Sequence, residues 1–135
     1  MTKTLGDFVG IPYKKGGDSR AGADCWGVVL MALEGVHGIK VDEQRGCTAE
    51  GAELAHVIAE TASGANWQRV DEPEDGDVVV MVSRHSMRPE HVGLYGGGKV
   101  LHSMRPRPDC ASAIHPLKFL KRYFHRLEFY RYAAR

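Results

Sequence analysis

Cys25, His91 and His102 are the residues whose types and settings could do covalent chemistry. A thiol is a strong nucleophile only as thiolate, a form favoured by a helix N-terminus or a nearby imidazolium. Cys25 follows Asp24, a good N-cap, at the start of a helical apolar period formed by Trp26, Val29, Leu30 and Leu33. The glycine-rich run Gly16–Gly22 precedes it and lets backbone approach closely, as a substrate cleft would need. A second reading is that Cys25 simply packs in the core beside Trp26 as a small hydrophobe. The local pattern accommodates both.

His91 opens one apolar run and His102 closes the next, with Gly96-Gly97-Gly98 between them as a hairpin turn. Counting outward from the turn pairs Tyr95 near Lys99 and His91 near position 103, within about one residue of His102. Two neighbouring imidazoles can work as base and orienter: one takes the thiol proton, the other holds its ring and tautomer. They can equally be half-exposed strand residues, or part of a zinc site whose other ligands do not stand out. The remaining histidines suit surface or capping roles: His37 at a helix end, His56 within a helix, His85 in a polar loop, His115 and His125 in a basic tail.

These groups need elements to position them. The helix from Asp24 stops at Gly35 or Gly38, and a second amphipathic helix is expected near 49–62, with Leu54, Val57, Ile58 and Thr61 facing inward. After Pro73–Gly76 the pattern turns to strands. Asp77–Val82 reads as a central strand, Arg84–Pro89 as a polar loop, and His91–Tyr95 with Lys99–His102 as the hairpin. A proline-rich stretch at 106–108 interrupts, a short helix spans Pro116–Tyr123, and Leu127–Tyr132 alternates as a closing strand. Helices packed on a central antiparallel sheet make an α+β fold. The chain of 135 residues suits a single domain over 1–135, with no repeat or linker.

At 43% hydrophobic and 26% charged, the composition is that of an ordinary globular domain. The net charge of +1 hides a split: positions 1–98 carry net −6 and positions 99–135 net +7. Tyr123, Phe124, Phe129 and Tyr130 interleave with Lys and Arg in that basic part, yet also suit a closing strand. Nucleic acid is therefore not the expected partner; an acidic partner or anionic polymer fits the basic tail at least as well. No run is long enough to span a membrane, and residues 1–10 lack the apolar segment of a secretory leader. Synthesis in a host cytoplasm is the expectation. Cys25, Cys47 and Cys110 cannot all pair and form no C-x-x-C, which disfavours a disulfide scaffold or structural zinc.

In order and spacing the segments resemble one family. Gly10-Ile-Pro-Tyr13, Gly16-Gly17 and Ala23-Asp24-Cys25-Trp26-Gly27-Val28 are similar to the first block of NlpC-type cell-wall cysteine peptidases. Pro73, Gly76-Asp77-Val78-Val79, His91-Val-Gly-Leu-Tyr95 and Gly98-Lys-Val-Leu-His102-Ser103 are similar to the second. The resemblance implies a papain-like fold without metal or organic cofactor, with Cys25 as nucleophile, His91 as base and acid, and His102 orienting His91. It implies that Tyr13 sits near the oxyanion site and that Asp24 contributes to substrate recognition, in competition with its capping role. The substrate implied is a peptidoglycan stem peptide, cut between γ-D-glutamate and a diamino acid. The family block commonly has a small residue after the cysteine, where this chain has Trp26. That block, with Phe129-Tyr-Arg-Tyr132 at the close, resembles the phage-tail subgroup and implies other tail or hub proteins as partners and the virion tail as location. Two other readings share these residues: a structural tail-tip plug that keeps the peptidase fold, and a thiol amidase or acyltransferase.

Overall fold

The computed structural model describes residues 3–14, 17–41, 67–103 and 111–132. The expected helix at 49–62, Cys47, His56, the proline-rich stretch and Cys110 lie outside them. A 3-10 turn, Leu5–Phe8, is followed by a two-residue hairpin, β1 (Asp18–Ser19) and β2 (Gly22–Ala23), and by α1 (Cys25–His37). Then come β3 (Trp67–Val70), β4 (Val78–Val82), β5 (Pro89–Gly96), β6 (Lys99–Ser103), β7 (Ser112–Pro116), α2 (Leu117–Tyr123) and β8 (Arg126–Tyr132). The last six strands form one antiparallel sheet in the order β3-β8-β4-β5-β6-β7. The fold is α+β, as expected from the order of patterns. Among the described residues no helix is long and apolar enough to cross a membrane.

The all-apolar run of β4 is buried on both faces, as befits a central strand. Val78 and Val80 join Val92, Leu94 and Leu101 in the core under α1, where Val28, Val29, Ala32 and Leu33 pack. Val79 and Met81 join Val100, Leu120 and Phe129 in a second cluster, supplied by α2 and β8. The first turns of α1 are buried nearly all round, with Val28 and Ala32 inside and Leu30 only partly covered. The expected stripe was narrower because it assumed a helix lying on one surface, whereas β1, β2 and the sheet enclose this one. Trp26 lies tilted against Trp67 at 6.2 Å between ring centroids, Trp67 meets Tyr132 at 5.0 Å, and Trp26 belongs to the core.

Two ionic and polar ties hold the sheet ends. The fully buried Asp77 carboxylate accepts both Arg131 nitrogens, at 2.9 and 2.8 Å, and the Glu74 amide at 2.7 Å. That bidentate pair with its extra amide satisfies the buried charge and joins the start of β4 to β8. At the other edge, Gly10 N–H donates to the Ser112 carbonyl and Ser112 N–H to the Ile11 carbonyl. The segment leading to Cys25 is thereby laid along β7.

The β5–β6 turn decides the registry of the histidines. Gly96 pairs with Lys99, leaving Gly97 and Gly98 as a two-residue loop with φ of 59° and 82°, the left-handed pair that a type I′ turn demands. Tyr95 consequently faces Val100, and Gly93 faces His102. His91 is thus two residues from opposition to His102, a correction to the offset of about one. The difference matters because strand side chains alternate: an offset of two keeps both rings on one face, where one would separate them.

Gly93 is the position that this arrangement needs empty. A Cβ there would lie 2.4 Å from Val100 Cγ1, 2.8 Å from the Leu101 carbonyl oxygen and 2.9 Å from Met81 Cε. Gly93→Ala should therefore lower the unfolding free energy by about 2 kcal/mol through overpacking, read by urea denaturation. An unchanged midpoint would show that the sheet yields freely at that point.

Candidate active site

Each residue singled out by the sequence has a definite local setting. Cys25 is the first residue of α1, with Asp24 as N-cap: the Asp24 carboxylate accepts the Gly27 amide at 2.7 Å. The cap role of Asp24 is thus realised. Tyr13 pairs with Ala23 in an isolated parallel bridge, flanked by Ala23 N–H donating to the Pro12 carbonyl and Lys14 N–H to the Ala23 carbonyl. This stitching puts the backbone of Tyr13 beside the residue that precedes the cap. The thiol is 2% exposed and packs with the cluster under α1.

α1 packs against β5 and β6, the strands that carry the two imidazoles. His91 Nε2 lies 2.9 Å from His102 Nδ1, with the rings edge to face at 5.0 Å between centroids. Both are buried, His91 at 8% and His102 at 4% exposure. The half-exposed alternative therefore fails for both. Across β4, His91 pairs with Met81. Phe124 stacks parallel to His91 at 6.3 Å. Burial, and next the charge of His115, push the pKa of His102 down to about 4, so at neutral pH this ring is uncharged.

His115, expected in a surface or capping role, is instead partly buried against His102. Its Nδ1 lies 2.7 Å from His102 Nε2, making a series of three imidazoles across three strands. His102 faces Gly93 on one side and Ala113 on the other, the two smallest side chains available. Each hydrogen bond runs along the diagonal of the sheet: His91 is two residues before Gly93, and His115 two residues after Ala113. β7 was not anticipated, because Ser112-Ala-Ile-His-Pro116 shows no apolar alternation.

These rings border a cleft of about 550 Å³ whose walls include Ser103, Glu90, Phe119 and Tyr123. Phe119 stacks on His115 at 5.4 Å and on Tyr123 at 6.1 Å, extending the aromatic wall along α2. Arg84, on the β4–β5 loop, donates to the carbonyls of Arg122 and Tyr123 and so fixes the C-terminal end of that helix. Cys25 is not among the residues lining this cleft. Among the described residues no group of three or more His, Cys, Asp and Glu is arranged to hold a metal ion. The three imidazoles bond to one another in series and do not converge on a common point.

Solved structures of the same fold match the chain along most of its length. The NlpC/p60 domain of the peptidoglycan hydrolase SagA superposes with a TM-score of 0.56 at 20% identity, over 93% of this chain and 90% of that one. An NlpC/P60 family protein from Bacillus cereus gives 0.59 at 24% identity, over 98% of this chain. A protein similar to a lipoprotein of the NLP/P60 family, from Staphylococcus aureus, gives 0.55 at 18% identity, over 92% of this chain. The chain spans 41% and 38% of the length of the last two. No curated protein matches the sequence. The NlpC/P60 family model matches residues 10–125, which take in α1, α2 and the strands β3 to β7 of the main sheet, and the chain belongs to the NlpC/P60 family.

Proposed function

We propose that this protein is a cysteine peptidase that hydrolyses peptidoglycan stem peptides, at the bond between γ-D-glutamate and a diamino acid. The observation that carries the reading is the buried His91–His102 pair on strands against which the helix of Cys25 packs. In the proposed cycle, His91 takes the thiol proton and the Cys25 thiolate attacks the carbonyl carbon. The backbone N–H of Cys25 supports the oxyanion, with Tyr13 beside it. His91, held by His102, then protonates the leaving amine, and water activated by His91 hydrolyses the thioester, regenerating the thiol. The uncharged state of His102 suits it to accept a hydrogen bond from His91 Nε2–H while His91 carries the positive charge. The peptidoglycan hydrolase whose domain shares this fold supports the substrate class. The block Asp24-Cys25-Trp26-Gly27, through its resemblance to the phage-tail subgroup, extends the proposal to a virion tail component that contacts other tail proteins.

Incubation of the purified protein with defined stem peptides, followed by mass analysis, tests this reading. The expected products are an N-terminal fragment ending in γ-D-glutamate and a fragment beginning with the diamino acid. An intact stem peptide released from glycan would identify an amidase instead. No product from any stem peptide, with particles failing to assemble without the protein, would favour the structural plug.

A further inference from the structure

The three imidazoles form a hydrogen-bonded series with a direction. His102 is buried and uncharged, so it holds one ring proton, and its two nitrogens meet His91 and His115 at 2.9 and 2.7 Å. With neutral rings only two arrangements satisfy both contacts. In the outward one, His91 Nε2–H donates to His102 Nδ1, and His102 Nε2–H donates to His115 Nδ1. In the inward one every proton moves to the other side: His115 Nδ1–H donates to His102 Nε2, and His102 Nδ1–H donates to His91 Nε2. The outward arrangement leaves the His91 Nδ1 lone pair to take a proton. The inward one places a proton on His91 Nδ1 and removes the base.

We propose that His115 is a positioning residue that selects the outward arrangement by offering its Nδ1 as acceptor to His102 Nε2–H. Two features hold that acceptor in place. The β6–β7 register puts His115 diagonal to His102 with only Ala113 between them on that face, and Phe119 stacks on its ring at 5.4 Å. His115 is itself only partly buried and borders the cleft. In energetic terms His115 fixes a tautomer two rings away, as outer ligands do for metal-bound histidines. Its effect on turnover rests on the peptidase reading; its effect on the tautomers does not.

The test uses the full chain labelled with ¹⁵N-histidine, and long-range proton–nitrogen spectra at neutral pH to assign the tautomers of His91 and His102. His115→Phe keeps a ring against Phe119 but cannot accept a hydrogen bond. His115→Asn places an amide oxygen near the position of Nδ1 and can accept one. In the wild type, His102 should be protonated on Nε2 and His91 on Nε2. His115→Phe should populate the Nδ1–H form of His91 and lower kcat by about tenfold or more with KM unchanged. His115→Asn should restore both tautomers and return kcat to within about threefold of wild type, since an acceptor is retained. Wild-type spectra with His102 protonated on Nδ1 would overturn the proposal. So would tautomers indifferent to His115→Phe, or equal loss of rate in the Phe and Asn variants. A wild-type chain with the outward tautomers but no hydrolysis would refute the peptidase reading alone.

Discussion

Cys25→Ala is expected to abolish stem-peptide hydrolysis, a loss on the order of 10⁴-fold or more, with little change in stability. A nucleophile cannot be replaced by water at its position, and removing one member of a nucleophile–base pair costs about as much as removing the pair. The structural cost is small because alanine deletes one buried sulfur, and the cap below it, Asp24 to the Gly27 amide, is untouched. Activity separates a chemical role from a packing role, because the same sulfur is lost in both. If Cys25 merely filled the core beside Trp26, the variant would keep its activity. The thiol is 2% exposed, so the companion measurement is alkylation mapped by mass spectrometry. Time-dependent inactivation should follow modification of Cys25, not of Cys47 or Cys110. Full activity in the alanine variant, or inactivation with Cys25 unmodified, would refute the assigned nucleophile.

The second large effect is on stability as a function of pH, and it belongs to His102. In the unfolded chain this ring titrates near 6.5; in the fold, burial and the neighbouring charge of His115 bring it to about 4. Between those values the unfolded chain binds a proton that the native state refuses, so acidification favours unfolding. Stability from this group is fully present above about pH 6.5, falls as the pH drops toward 4, and is flat below. Each tenfold change in proton affinity is worth about 1.4 kcal/mol, so the total is roughly 3 kcal/mol. Urea unfolding from pH 8 to pH 4, wild type beside His102→Asn, isolates the contribution, because carboxylates titrate in both chains. The wild-type curve should be steeper by close to one proton over the window from 6.5 to 4. Parallel curves would mean that His102 accepts its charge within the fold. For turnover, the same low value keeps His102 an uncharged acceptor for His91 across the whole neutral range.

The predictions draw on different kinds of information. The setting of Cys25 was legible in the chain because its parts are local, an Asx cap, a helical period and a turn cluster within positions 16–33, whereas its role as nucleophile came from the family resemblance. The hairpin was legible as well, since Gly97 and Gly98 supply the two left-handed residues that a tight turn requires. Its registry differs by one residue from the count outward from the glycines. Three consecutive glycines do not reveal which two are the loop, and only pairing of Gly96 with Lys99 settles it. The helix α2 and the closing strand β8 were also anticipated within one residue at each start, from Pro116 and from the alternation after Arg126.

The sequence by itself determined the fold class, the central strand, the hairpin and the pair of histidines that the hairpin joins. Each of these is written in short-range periodicity, in turn residues or in one cap, and each is strengthened by the family's ordered blocks. The tertiary structure alone decided the burial of both imidazoles, the diagonal geometry of their hydrogen bond, the lowered pKa of His102 and the entry of His115 into the series. Those properties arise from β7 lying beside β6 and from α2 covering the far face of the sheet. Both are contacts between segments whose sequences carry no mark of each other. A ring at position 115 is an ordinary basic-tail residue until a neighbouring strand turns it toward His102.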